Sequence, residues 1–249
     1  MSALPLVIVI DGAIGAGKTE FTNALVEEAA KRVKADGRRL LACAVPEPVK
    51  LWEDVGALPL FYRDPQRYAY TFQTYVYATR VTAIADAVRD NPHADIFVLD
   101  RSPATDRVFM DAQDVSPVER AMYDTWCNAH DRMLPIDLRR ATGVYLQTSL
   151  ETCMARVARR ARGGDAATDR GLDRGALPLG VTTAYQAELI RRHDAFLLGA
   201  DGAPPTCPYR RVVCVPAAVA DADFTVGSPD RAAIANALLD ELLSGSVSC

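Results

Sequence analysis

The chain has 249 residues, enough for one or two domains at about 150 residues each, and a single domain over 1–249 with one core is the expectation. Its 28 Lys and Arg against 32 Asp and Glu give a formal net charge of -4, which excludes the basic surface that binding a polynucleotide requires. A hydrophobic fraction of 49% beside 24% charged residues, with 15 Gly and 15 Pro, excludes disordered and fibrous classes as well.

In chain order, the first element is the apolar run Leu6 to Ile10, stopped by Asp11. It is far shorter than the roughly 18 apolar residues of a membrane span, so it predicts a buried strand and no membrane partner. Starting so close to Met1, it leaves no room for a leader, and a cytoplasmic product is expected. A helix follows from Thr19 to about Ala35, then a strand from Leu40 to Val45 and a long helix from Pro65 to about Asp90. Two more strands are predicted at Ile96 to Leu99 and Gly143 to Gln147. The next helix opens at a capping box, Thr148 with Glu151 three residues on, and runs into an arginine cluster. The small, charged, Gly-rich stretch Gly163 to Pro178 predicts a lid, so that an Arg-rich lid spans about 156–178. Gly199 to Pro208 is a loop, Val212 to Val215 a fifth strand and Asp230 to Leu243 a closing helix. Five short strands, apolar on both faces and separated by helix-length crossovers, predict an α/β fold with a five-stranded parallel sheet flanked by helices. The six cysteines include no C-x-x-C pair and read as reduced, structural thiols.

The most specific motif is Gly12, Ala13, Ile14, Gly15, Ala16, Gly17, Lys18 and Thr19, which fits G-x-x-x-x-G-K-[ST] between a strand and a helix. Backbone N–H groups and the positive helix terminus there converge on a polyphosphate, Lys18 reaches the β and γ phosphates, and the Thr19 hydroxyl is suited to Mg²⁺. A P-loop NTPase fold follows, and the absence of N-K-x-D excludes a GTPase. Ligands of an open parallel sheet bind at the carboxyl ends of its strands, where Glu47 ends the second strand and Asp100 and Arg101 end the third. Phosphorylating a hydroxyl needs that set: Glu47 as general base, Arg101 as the cation over the moving phosphoryl, Asp100 as the magnesium-side carboxylate. Arg156 and Arg160 share a helix face and can close over phosphates, with Arg162 at the lid entrance. On the long helix, Gln73, Tyr77 and Arg80 follow i, i+4, i+7, so one face presents an amide and a guanidinium together.

Together, G-A-I-G-A-G-K-T (12–19), E-P-V-K-L-W (47–52), Y-R-D-P-Q-R-Y-A-Y-T-F-Q-T-Y (62–75), D-R-S (100–102) and Y-L-Q-T-S-L-E-T-C (145–153) resemble the deoxyribonucleoside kinase family over most of the chain. That family includes deoxycytidine, deoxyguanosine and mitochondrial thymidine kinases and, more distantly, herpesvirus thymidine kinases. The resemblance implies transfer from ATP, with Mg²⁺, to the 5′-hydroxyl of a deoxyribonucleoside, with Glu47 as the base and Arg101 supporting it. It implies further that Gln73 reads the base edge, that Tyr62 meets the sugar 3′-hydroxyl, and that Asp165 stands where the family has a glutamate on that hydroxyl. Trp52, Leu58, Phe72 and Phe109 look like the pocket walls. Arg80 and Asp106 resemble the pair near the exocyclic group, which favours cytosine or a purine. Val76 and Pro103 after D-R-S lean toward broad-specificity and viral thymidine kinases. Asp100 stands where the cellular enzymes mostly have Glu, and the three histidines match no catalytic position. A homodimer is implied by the resemblance alone. The alternative is thymidylate kinase, which shares the fold and a D-R motif but needs another basic group for its acceptor phosphate.

Overall fold

A computed structural model describes residues 4–163 and 181–244, with the backbone alone for 160–163. Five strands, β1 (Leu6–Asp11), β2 (Ala42–Val45), β3 (Ile96–Asp100), β4 (Thr142–Leu146) and β5 (Arg211–Val215), form one sheet in the order β2-β3-β1-β4-β5. Every pairing is parallel; Ile8, for example, lies beside Val98 of β3 and Thr142 of β4. Parallel strands need long crossovers, and among the described residues these carry helices α1 (Lys18–Ala29), α2 (Val49–Asp54), α3 (Ala57–Arg63), α4 (Pro65–Asp90), α5 (Pro103–Asp111), α6 (Pro117–Asp131), α7 (Leu150–Gly163) and α8 (Thr183–Leu198). The short α9 (Ala217–Ala220) and α10 (Pro229–Ser244) follow β5, so the expected α/β fold is present.

Alternation along the strands divides the core in two. Ile8, Ile10, Ile96, Val98, Val144 and Leu146 face α1 and α10, where Phe21, Leu25, Leu238 and Leu239 are buried. Val7, Val9, Phe97, Leu99 and Tyr145 face the opposite way and meet Ile84 of α4 and Leu197 of α8. The chain visits β2 and β3 on one side of β1 and β4 and β5 on the other, so the strand order reverses at β1. A crevice opens where crossovers diverge at such a point, and the phosphate motif follows β1 into it.

Several expectations are corrected. Helix α1 ends at Ala29 rather than about Ala35, because the chain folds back: the Gly37 N–H donates to Lys34 O, the Lys34 N–H to Arg38 O, and Val33 bridges Arg39. The expected Thr148 cap is wrong by one residue. Ser149 Oγ accepts from the Thr152 N–H at 3.2 Å, while the Thr148 hydroxyl donates to Ala16 O at 3.0 Å and so braces the phosphate loop. Periodicity alone did not predict α5, α6 or α8, yet each has a start signal: Ser102 before Pro103, the Ser116–Glu119 capping box, and Thr182 accepting from the Tyr185 N–H. No described helix is long and apolar enough to cross a membrane.

Candidate active site

The phosphate loop wraps the N-terminus of α1, whose N-cap, Gly17, has no side chain to satisfy the first-turn amides. Those amides form an anion cradle. Gly15 takes φ 80°, and a Cβ there would lie 2.6 Å from Cys153 O, so a side chain at this position would push the loop off α7. Lys18 is buried across the loop, its Nζ donating to Ala13 O at 2.9 Å. On α8, Gln186 Nε2 donates to Ile14 O at 2.5 Å, a second brace on the loop.

Beside the cradle, four charges alternate in sign: Asp106, Arg80 and Arg101, all buried, and the partly buried Glu47. Arg80 Nε donates to both Asp106 oxygens at 3.0 and 2.8 Å, its Nη1 to Asp100 O at 3.0 Å, and its Nη2 to Glu47 Oε1 at 2.6 Å. Arg101 Nη1 donates to both Glu47 oxygens at 3.0 Å and its Nη2 to Gly12 O at 3.0 Å, while its guanidinium lies 4.6 Å from the Phe109 ring centroid. The Arg101 backbone is left-handed, φ 65°, a strained state for a side chain of this size that concentrates at functional sites. Burial pushes the Glu47 carboxyl up, but Arg101, Arg80 and Lys18 outweigh it and bring its pKa down to about 2, so it is ionised at neutral pH. Burial raises the Asp106 carboxyl to about 6 against the pull of Arg80. Both Asp106 oxygens share the one Arg80 Nε–H, which leaves each with a further lone pair.

At the end of β3, the Thr19 hydroxyl donates to Asp100 Oδ2 at 2.6 Å, and Asp100 Oδ1 is sealed from solvent without a partner among the described residues. A hydroxyl and a carboxylate at the mouth of a phosphate cradle are the hard oxygen donors that Mg²⁺ takes, and the orphaned Oδ1 leaves capacity for it or its waters. Among the described residues no cluster of three acidic, His or Cys side chains could hold a metal alone, so phosphate oxygens would complete the set.

A network beneath the site has no sequence signal. Asp11 is fully buried; its oxygens accept from Thr105 Oγ1 at 2.7 Å and Tyr209 Oη at 2.8 Å, and Tyr209 Oη also lies 2.8 Å from Ser102 Oγ. Burial raises the Asp11 pKa against these bonds. A Cβ at Gly143 would approach Tyr209 to 2.6 Å, so glycine leaves room for this ring. The network ties the phosphate motif to the D-R-S turn.

An apolar cluster from α2, α3 and α4 adjoins these charges, with the Arg80 guanidinium 5.8 Å from the Trp52 ring centroid. Trp52, Phe72 and Val76 are buried in one cluster with Leu58 and Tyr62 packed against it, and Trp52 meets Phe72 edge-on at 5.9 Å. Gln73, 2% exposed, lies on α4 one position after Phe72 of this cluster. Tyr77, on the same helix, turns instead toward α6, where its hydroxyl donates to Cys127 O at 3.2 Å, whereas Arg80 bonds Glu47 and Asp106. Burial and the neighbouring Tyr185 raise the Tyr62 phenol, so it is a neutral donor.

Arg156, expected over the phosphates, reaches the phosphate loop itself. Its Nη1 donates to Ala16 O at 3.0 Å and its Nη2 to Ala222 O at 2.7 Å, with longer bonds to Ala220 O and Asp221 O. These carbonyl oxygens cluster where α9 meets the loop. The side chains of Arg160 and Arg162 and all of Asp165 lie outside the described residues, as does the expected lid after Gly163.

Comparison with known proteins adds a family. The model of the deoxynucleoside kinase family matches residues 8–206. A fowlpox virus protein named "probable deoxycytidine kinase" is 29% identical over 62% of this chain and 61% of its own length. Human deoxycytidine kinase is 24% identical over 77% of this chain and 75% of its own. Deoxyguanosine kinase of Lactobacillus johnsonii is 30% identical over 63% and 64%. The match thus spans less than two thirds of the fowlpox and bacterial proteins.

Proposed function

The chain belongs to the deoxynucleoside kinase family, and from that premise we propose that it transfers the γ-phosphoryl of ATP, with Mg²⁺, to the 5′-hydroxyl of a deoxyribonucleoside, yielding the 5′-monophosphate and ADP. The observation that carries this reading is Glu47, ionised and partly buried between Arg101 and Arg80 beside the Gly12–Thr19 cradle.

In this reading α1 amides and Lys18 receive the β and γ phosphates, and Thr19 and Asp100 hold Mg²⁺, which supplies charge neutralisation on the phosphates when bound. Gln73 reads the base edge within walls of Trp52, Leu58, Phe72, Val76 and Phe109. Tyr62 donates to the sugar 3′-hydroxyl, and Asp165 is its partner there. Glu47 accepts the 5′-hydroxyl proton. At a pKa of about 2 it is a weak base while both arginines bind it. When Arg101 turns from the carboxylate to the moving phosphoryl, Glu47 loses one of its two cationic partners and gains basicity, so proton acceptance and phosphoryl stabilisation are coupled.

Cytosine or a purine is the favoured base. Asp106 retains acceptor lone pairs beside Arg80, which suit an exocyclic amine and oppose the 4-carbonyl of thymine. The relatives named for deoxycytidine and deoxyguanosine support this. The whole chain serves as one catalytic domain, working as a homodimer. The α6 face carrying Val118, Met122 and Trp126 at four-residue spacing is exposed and suits a second copy. The described free cysteines suit a reducing, cytoplasmic setting.

A coupled ADP-release assay with Mg·ATP against thymidine, deoxycytidine, deoxyadenosine, deoxyguanosine and their monophosphates tests this reading. Deoxycytidine or a purine deoxynucleoside should lead. Thymidine in the lead would overturn the base preference and favour a viral-type thymidine kinase; turnover of monophosphates alone would overturn the acceptor assignment in favour of a thymidylate kinase.

A further inference from the structure

His193, on α8, is fully buried and takes no part in the chemistry above. Its Nδ1 lies 2.7 Å from Leu189 O, one turn earlier. A carbonyl can only accept, so Nδ1 carries the proton and Nε2 is a bare acceptor. Nε2 is buried and has no partner among the described residues. Arg101 presents the complementary defect: its Nη atoms are engaged, but its Nε–H is buried without an acceptor among those residues. Both groups pack on one ring. The Arg101 guanidinium lies over Phe109 at 4.6 Å, and the His193 imidazole meets Phe109 edge-on at 5.7 Å. An orphaned buried donor and an orphaned buried acceptor sharing a neighbour are each costly alone and cheap together.

We infer that His193 is a positioning residue for Arg101: its Nε2 is the acceptor for the Arg101 Nε–H, reached through one trapped water at the edge of Phe109. The link holds the guanidinium plane while its Nη atoms exchange Glu47 for the moving phosphoryl. It also opposes the left-handed strain of the Arg101 backbone, which needs surroundings that over-determine it. A protonated imidazole could not serve, since Nε2 would become a donor and face a guanidinium. Burial and Arg101 hold the imidazole neutral, with its pKa down to about 3. The histidine carries no local sequence signal, because the guanidinium it would serve is 92 positions away.

The inference rests on the kinase reading for its kinetic test and is independent of it for its spectroscopic one. His193→Phe keeps the ring and loses the acceptor; it should lower kcat about 10-fold with nucleoside KM nearly unchanged, as expected for one hydrogen bond to a charged group. His193→Gln, whose amide oxygen reaches the Nε2 position, should restore most of that loss. In an Arg101→Lys background, which lacks the Nε–H, His193→Phe should add nothing. Equal losses in the Phe and Gln variants, or additive losses in the double variant, would overturn the link. NMR of the isotope-labelled histidine nitrogens needs no turnover: in the otherwise unaltered chain the His193 Nε2 resonance should carry the shift of a hydrogen-bonded acceptor and lose it in Arg101→Lys. An Nε2 signal indifferent to that substitution would refute the inference even if the kinase is active, and an inactive enzyme with the expected shift would sink the kinase reading alone.

Discussion

Replacing Glu47 by Gln removes one negative charge from the alternating series Asp106, Arg80, Glu47, Arg101 and leaves two buried guanidinium groups facing an amide. The carboxyl pKa falls from an ordinary 4.5 to about 2 in the fold. At about 1.4 kcal/mol per tenfold, that difference corresponds to about 3 kcal/mol of stabilisation at neutral pH. The Glu47 side chain is only 14% exposed, so solvent screens little of it. For a chain of this length, at about 2–4 °C per kcal/mol, Glu47→Gln should lower Tm by about 6–12 °C. The pH dependence has a definite sign. A depressed carboxylate contributes its stability above its ordinary pKa and loses it as pH falls through the folded value, so the gap between parent and variant should be full at pH 7 and close between about pH 4.5 and 2. Urea unfolding across that window, alongside ADP release at pH 7, measures both roles. Turnover should drop about 10²- to 10⁴-fold, the usual worth of a general base, with nucleoside binding nearly intact. A variant of unchanged turnover would remove Glu47 from the chemistry; a variant as stable as the parent would show that Arg80 and Arg101 draw no net stabilisation from it.

Gln73→Met, which removes the amide assigned to the base edge and keeps an unbranched side chain, should raise nucleoside KM about 10- to 100-fold with little change in stability; a large loss of Tm with unchanged KM would contradict the pocket assignment. Thr19→Val should raise the Mg²⁺ concentration for half-maximal activity about 10- to 100-fold, read by magnesium titration at fixed ATP, and an unaltered titration would dissociate the Thr19–Asp100 pair from metal binding. His193 is neutral when folded, with its pKa lowered to about 3 from 6.5, so it stabilises fully above pH 6.5 and less as pH falls below it. Between pH 7 and 5 the parent should therefore lose about 2 kcal/mol that His193→Phe does not, measured by urea unfolding at both values; equal losses would mean that the imidazole is solvated.

The phosphate motif was legible because it is local: Gly12 to Thr19 are consecutive, and their chemistry follows from backbone amides and one helix end. The long helix from Pro65 to Asp90 was equally plain, with Asp64 accepting from the Arg67 N–H at its start and apolar residues at helical spacing beyond. The strands were legible because burial on both faces leaves them uniformly apolar. Helix α1 was overestimated because its periodicity runs past Ala29 into a stretch that Gly37 turns back. Glu47, Asp100 and Arg101 could be named from the sequence, since each sits at the end of a readable strand. What they bind could not. That Arg80 spans Asp106 and Glu47, that Arg156 spends its fork on carbonyl oxygens, and that Asp11, Ser102, Thr105 and Tyr209 share one network were decided by tertiary structure. These are contacts between groups tens to nearly two hundred positions apart, set by which strand ends the sheet order brings together. Residue type determines the chemistry a side chain can offer; in a buried site, only the packed fold determines which neighbour takes it up and which donor or acceptor is left for the ligand.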